Sequence, residues 1–205
     1  MIAVERLSRS FGERRVLDGF SLSVRPGDRV ALRGPNGSGK TTVLRCVLGT
    51  LTPTAGTVTV GGHPAGSLAA RELVGASLSQ ERSFYLRLPG RENLVFFARV
   101  RGLSRRDAVR EVEAVVEELG LDEIAAQRCD RCSSGMLQQL ALGRALLGNP
   151  PVLLLDEPTR SLDTAARARL WAALDRRPEA AVLIATHLDE DLEHVGTVVE
   201  LEAPA

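Results

Sequence analysis

The residues best suited to chemistry in this sequence run from Gly34 to Thr42 and read Gly34-Pro35-Asn36-Gly37-Ser38-Gly39-Lys40-Thr41-Thr42. Glycine, four residues, glycine, lysine and threonine is the spacing of a loop that cradles phosphate. Glycines let the main chain approach phosphate oxygens closely while the backbone amides turn inward. Lys40 can then reach the β- and γ-phosphates, and the Thr41 hydroxyl can hold Mg²⁺. Of the 26 basic residues 25 are arginine, and Lys40 is the only lysine. An ammonium is a compact point charge on a flexible stem where a guanidinium is a rigid fork, so a chain built on arginine keeps lysine where a point charge must fit.

A second constellation is Asp156-Glu157, which ends the apolar run Val152-Leu153-Leu154-Leu155. Acids at the C-terminal end of such a run lie where α/β sheets bind ligands. With a phosphate loop in the same chain, Asp156 is expected to hold Mg²⁺ through water and Glu157 to orient and polarise an attacking water. The simpler alternative is a solvated pair capping the next helix. His187 follows another apolar run, Ala181 to Ala185, and so also stands at a strand end.

Positioning these groups requires a particular set of elements. Val30-Ala31-Leu32 before the loop reads as a strand and Thr42 to Leu48 as a helix, so the glycines sit at a strand-to-helix turn whose N-terminal partial charge favours anions. Continuous aliphatic runs read as central strands of a parallel sheet covered on both faces. Val74 to Ser79 and Val198 to Leu201 are strand-like. Past Gln80 the periodicity turns helical: Leu94, Phe97 and Val100 to Arg101 define one face, and Val109, Val112, Val115 or Val116 and Leu119 another. Ser104 with Asp107 resembles a capping box and Gly120 a helix stop.

Read in order, these motifs resemble the ATP-binding cassette family along nearly the whole chain. Gly34 to Thr42 corresponds to Walker A, Gln80 to the Q-loop, Val152 to Glu157 to Walker B, Ser161-Leu162-Asp163 to the D-loop and Thr186-His187 to the switch histidine. Phe11 takes the place of the aromatic that stacks on adenine. The signature, usually Leu-Ser-Gly-Gly-Gln, corresponds to Cys132-Ser133-Ser134-Gly135-Met136, followed by a helix-like Leu137 to Leu147. Ser134 and Met136 depart from the pattern, in the manner of ATPases paired with export-type permeases.

The resemblance implies an α/β fold: a P-loop NTPase-type mixed-sheet core with an antiparallel β subdomain and an inserted α-helical subdomain. All 205 residues form one ATP-binding domain, with core and β subdomain at about 1–80 and 150–205 and the helical subdomain at about 81–149. It implies ATP and Mg²⁺ as cofactors, with Thr41, Gln80 and Asp156 around the metal, and Lys40, Glu157 and His187 as catalytic residues. It also implies a head-to-tail dimer of two such subunits, homo- or heteromeric. Ser133, Ser134 and Gly135 of one copy face the ATP of the other, and Asp163 and Gln80 couple the halves. A separately encoded multi-spanning permease, probed by Phe84, Tyr85 and Leu86 unless these simply pack inside the subdomain, completes the assembly. Export through that permease is the expected function. The rival is a soluble ATPase of the same type in a non-transport assembly complex.

Composition sets limits consistent with this. Zero formal charge, 44% hydrophobic and 25% charged residues describe an ordinary soluble protein and give no electrostatic reason to expect nucleic acid. No apolar run approaches the roughly 20 residues that span a bilayer. The start of the chain lacks a signal-peptide core, so the protein is expected in the cytoplasm, and the resemblance implies a peripheral place on the inner face of the membrane. The chain stops soon after Val198 to Leu201, where an added sensing domain is not expected. Cys129 and Cys132 form a Cys-x-x-Cys pair, but zinc needs two further ligands and Cys132 stands in the signature. Arg160, Arg176 and Arg177 read as solvated surface charges.

Overall fold

The computed structural model describes residues 1–78 and 83–202. Two sheets organise them. β1 (Ile2–Phe11), β2 (Arg14–Val24), β4 (Ala55–Val60) and the short β5 (His63–Pro64) pair antiparallel in the order β2-β1-β4-β5. β3 (Arg29–Arg33), β6 (Val74–Ser77), β7 (Val152–Asp156), β8 (Ala181–Thr186) and β9 (Thr197–Glu200) form a parallel sheet in the order β6-β7-β8-β3-β9. Among the described residues the antiparallel strands thus all lie in the first sheet.

The aliphatic runs explain the layering. Every residue of β7 and β8 is buried, and alternation sends successive side chains to opposite faces. Leu153, Leu155, Val182 and Ile184 join one core, shared with the helical region, while Val152, Leu154, Leu183 and Ala185 join the other, shared with α1 (Lys40–Leu48), α2 (Leu68–Glu72) and the antiparallel sheet. A strand apolar on both faces is stable only between two such layers.

The helical region comprises α3 (Gly90–Val100), α4 (Arg105–Leu119), α5 (Asp122–Ala126) and α6 (Ser134–Leu146), with a 3₁₀ turn at Cys129–Arg131. Ser104 caps α4 by accepting from the Asp107 amide at 3.1 Å, and its hydroxyl donates to Asp107 Oδ2 at 2.6 Å, so only half of a reciprocal capping box forms. Gly120 ends the helix in the left-handed region, as expected. Two apolar faces differ from their expected course. Val100 is 67% and Val109 44% exposed, whereas Ala98 and Ala108 are fully buried. At 100° per residue the buried stripe of α4 runs through Ala108, Val112, Val115 and Leu119, which leaves Val109 at its edge. α6 begins at Ser134, three residues before the expected start, because Ser133 caps it. Its close packing on the sheet requires Gly75 in β6, where a Cβ would lie 1.9 Å from the Ala145 carbonyl oxygen.

One expectation is corrected outright. Arg177 is not a solvated surface charge: its side chain is 11% exposed, and its Nη1 and Nη2 donate to Glu118 Oε1 and Oε2, each at 2.9 Å. Arg176 adds a third bond to Oε1 at 3.1 Å. The pairing joins α4 to the end of α7 (Thr164–Asp175), and sequence separation of 59 residues hid it. Burial alone would raise the Glu118 carboxyl, but hydrogen bonds and charge from Arg177 and then Arg176 outweigh it and hold the group below its ordinary value. A depressed carboxyl contributes stability that is complete above the unfolded value and is lost as pH falls through the folded one. Glu118→Gln is therefore expected to cost ~1–3 kcal/mol at pH 7, with the difference from wild type shrinking below about pH 4; urea melts at pH 7 and pH 3 check both.

Candidate active site

Three neighbouring strands of the parallel sheet deliver the site. β3 runs into the phosphate loop, β7 ends in Asp156-Glu157 and β8 ends in Thr186-His187. Their register sets Asp156 opposite Ala185 and Arg33 opposite Thr186, so all three turns emerge at one edge.

The loop closes on the Ser38 amide donating to the Pro35 carbonyl at 3.2 Å, and Gly39 caps α1 at φ 99°, a conformation costly for a residue with a Cβ. Lys40 is 6% exposed and its Nζ donates to the carbonyls of Gly34 at 2.7 Å and Pro35 at 3.1 Å. The buried Ser38 Oγ has no hydrogen-bond partner among the described residues. Thr41 Oγ1 donates to Asp156 Oδ2 at 3.0 Å, which brings a hydroxyl and a carboxylate together as adjacent hard oxygen donors. That pairing fits Mg²⁺.

Glu157 sits in the left-handed region at φ 50°, its amide donating to the Ala185 carbonyl at 2.7 Å. Such a backbone costs roughly 1–2 kcal/mol and must be held by its surroundings. Glu157 Oε2 lies 2.7 Å from His187 Nδ1, close enough for an ion pair but out of line for a hydrogen bond, so Oε2 makes none. The acidic pair does not cap the next helix. Asp163 does, its Oδ1 accepting from the Ala166 amide at 2.7 Å.

A cavity of about 530 Å³ opens over these groups, lined by Phe11, Arg14, Val16, Asn36, Gly37, Gly39, Lys40, Thr41, Thr42, Asp156, Glu157 and Arg160. Phe11 is 48% exposed, with the Arg9 guanidinium 4.6 Å from its ring centroid, leaving an apolar face at the cavity. Sequence reasoning missed Arg14 and Val16 and set Arg160 aside. Arg14 Nη2 lies 3.5 Å from where a Gly37 Cβ would be, which is over the phosphate loop. Phe11 pairs with Arg14 across the β1–β2 turn, and alternation along β2 from there could have suggested Val16; nothing local marks the arginines.

Ser133, Ser134 and Gly135 are not part of this cavity. They form the start of α6, with both serines exposed. Ser133 Oγ accepts from the Met136 amide at 3.2 Å while Met136 Sδ accepts from the Ser133 amide at 3.5 Å, so Met136 fills the role a glutamine or glutamate usually has in a capping box. A Cβ on Gly135 would meet the Ser161 carbonyl at 3.3 Å, so the signature packs on the turn leading to Asp163. Gln80 lies outside the described residues, and its expected part in metal binding and coupling is not placed. In the Cys-x-x-Cys pair, burial pushes the Cys129 thiol up to about 11, and Cys132 is raised by the same cause, which disfavours the thiolates that metal binding needs.

A phosphate loop, a strand-end Asp-Glu pair and a histidine meeting at the edge of one parallel sheet define a P-loop nucleotide-binding protein. The ABC transporter family profile matches residues 17–160, and the chain belongs to that family. It is 38% identical over 198 residues to Nod factor export ATP-binding protein I of Paraburkholderia xenovorans (strain LB400), covering 95% of this chain and 65% of that protein. The chain thus spans somewhat under two thirds of that relative's length. A structure of the ATP binding subunit of an ABC transporter superposes with a TM-score of 0.89 at 26% identity, covering 98% of this chain and 85% of the other. The dimeric structure of a bacterial ABC transporter cassette shares the fold, with a TM-score of 0.86 at 23% identity and coverage of 99% and 95%.

Lys40→Ala is expected to weaken binding of a fluorescent ATP analogue about 10- to 100-fold, the loss of roughly 1.5–3 kcal/mol of charged hydrogen bonding. The melting temperature should stay within a few degrees of wild type, because the ammonium holds only two loop carbonyls.

Proposed function

We propose that this chain is the ATP-binding and ATP-hydrolysing subunit of a transporter, energising export through a separately encoded membrane permease. The observation that carries this reading is the convergence of Lys40, Thr41, Asp156 and Glu157 on one cavity at the ends of adjacent strands. The polyphosphate lies on the amides of Gly34 to Thr42, with Pro35, Asn36 and Ser38 shaping the turn. Adenine stacks on the free face of Phe11. Lys40 swings from its two carbonyls to the β- and γ-phosphates.

Thr41 and Asp156, together with Gln80 as the sequence suggests, would hold Mg²⁺, which would supply positive charge to offset that on the phosphate oxygens. Glu157 receives the proton of the attacking water, and His187, beside its carboxylate, keeps that geometry. One copy leaves the γ-phosphate open on the side away from the loop. The exposed serines at the start of α6 can face that phosphate only from a second copy, so Ser133, Ser134 and Gly135 act in trans. Two subunits, alike or different, close head to tail on ATP and part after hydrolysis, with Asp163 at the contact between them. The α-helical part, about 81–149, works as a subdomain inserted in the core.

A second groove supports the transport reading. It has a volume of about 520 Å³ and is lined by Leu48, Leu68, Ala76, Phe97, Val100 and Arg101 among others. Its position between core and helical region suits a short helix of a membrane protein. Tyr85 and Leu86 are 51% and 56% exposed and available to the same partner, with the Tyr85 ring edge-on against Phe96, whereas Phe84 packs edge-on against Phe97. Tyr85 is presented by the buried Asn93, which accepts from its amide at 2.7 Å and donates to its carbonyl at 3.1 Å. No helix among the described residues is long and apolar enough to cross a membrane. We place the protein in the cytoplasm, held at the inner membrane face by its permease. Export is taken from the likeness to the Nod factor export ATP-binding protein.

Glu157→Gln is expected to lower ATP turnover by about 10²-fold or more while ATP binding stays within a few-fold of wild type. Tagged and purified from membranes with ATP, the variant should bring a multi-spanning protein with it. Unchanged turnover would count against hydrolysis at this site, and recovery of soluble proteins alone would replace transport by a non-transport assembly role.

A further inference from the structure

We propose that Asp191 is a positioning residue for hydrolysis, fastening the loop that carries Glu157 to the loop that carries His187. The inference rests on the hydrolytic reading above. Asp191 is fully buried on α8 (Asp189–Leu192), and its two carboxylate oxygens are divided between two loops. Oδ1 accepts from Thr159 Oγ1 at 2.6 Å, and Oδ2 accepts from Thr186 Oγ1 at 2.6 Å. Both threonines are themselves fully buried. Thr159 stands two residues after Glu157, and Thr186 immediately precedes His187. Thr186 Oγ1 also accepts from the Leu188 amide at 3.1 Å, so the residues on either side of His187 are fixed by one hydroxyl.

The link matters because the direct contact is a poor one. Glu157 and His187 approach to 2.7 Å without hydrogen-bond alignment, and Glu157 holds a left-handed backbone that it would not adopt unaided. The Glu157 amide bond to the Ala185 carbonyl ties the two strand ends, and a further fastener beyond them sets the spacing of the two side chains. Asp191 is the side chain seen to bond to both loops, and it forms no ion pair among the described residues. Both partners are hydroxyl donors, so a carboxylate satisfies them together. An amide can accept from one but must donate to the other, so one of the two buried hydroxyls would have to turn its hydrogen away from residue 191.

Asp191→Asn, nearly equal in volume, and Thr159→Val, which removes one hydroxyl, test this in the full chain. Each is expected to lower kcat by about 10- to 100-fold, as a displacement near 1 Å does, with KM for ATP and ATP binding within about threefold of wild type. On a His187→Ala background, Asp191→Asn should lower kcat little further, because its effect acts through the Glu157–His187 geometry. Equal losses in both backgrounds, or a fall in melting temperature with kcat unchanged, would overturn the proposal. A readout independent of turnover is the imidazole C–H resonances of His187 at constant pH. They should shift in Asp191→Asn while those of His63 stay in place, and an unmoved His187 overturns the proposal even if wild type proves unable to hydrolyse ATP. Absent turnover in wild type, unaltered by Glu157→Gln, would instead refute the hydrolytic reading.

Discussion

Parallel strands end on the same side, and in this protein that single constraint assembles the site. β7, β8 and β3 lie next to one another, so the phosphate loop, with Thr41 115 residues before Asp156, and the two later turns release their functional groups within a few ångströms. A two-faced apolar strand has no solvated face along which to carry polar groups. Its polar chemistry therefore collects where the strand stops, and the strands supply little beyond burial and direction.

Around that edge the chain uses buried polar groups as fasteners. Lys40 binds the carbonyls of its own loop, Thr41 meets Asp156, and Asp191 joins two threonines from different loops. Each bond lies in surroundings of low dielectric, where a satisfied group is strong and an unsatisfied one is costly. The same economy appears away from the site, where Glu118 takes three bonds from Arg176 and Arg177 and ties α4 to α7. Asn93 holds the turn that presents Tyr85. Apolar packing sets the layers, and these few polar contacts set how the loops and layers meet.

The helical region shows where periodicity reads well and where it slips. Leu94, Val112, Val115, Val116 and Leu119 are buried as their spacing suggests, yet Val100 and Val109 are exposed and two alanines are buried in their stead. Alanine carries too weak an apolar signal to mark a core position, and at a stripe's edge one valine looks like another. The short α5 and the 3₁₀ turn have no periodic signature at all. The signature segment was legible as a motif, but Met136 completing the cap through sulfur was not, since methionine is a weak acceptor rarely read in that role.

What the sequence by itself determined is the local chemistry: a glycine-rich turn around the only lysine, acids and a histidine after aliphatic runs, and caps at Ser104 and Gly120. Those features depend on neighbours a few residues apart, so spacing along the chain is enough to express them. Only the tertiary structure decided which groups meet. It set Glu157 beside His187, put Arg14 and Arg160 at the cavity, buried Arg177 against Glu118 and made Asp191 a bridge. A charged or polar side chain has the same appearance in a sequence whether it faces water or a partner. Its role follows from burial, and burial is fixed by strands and helices far away along the chain.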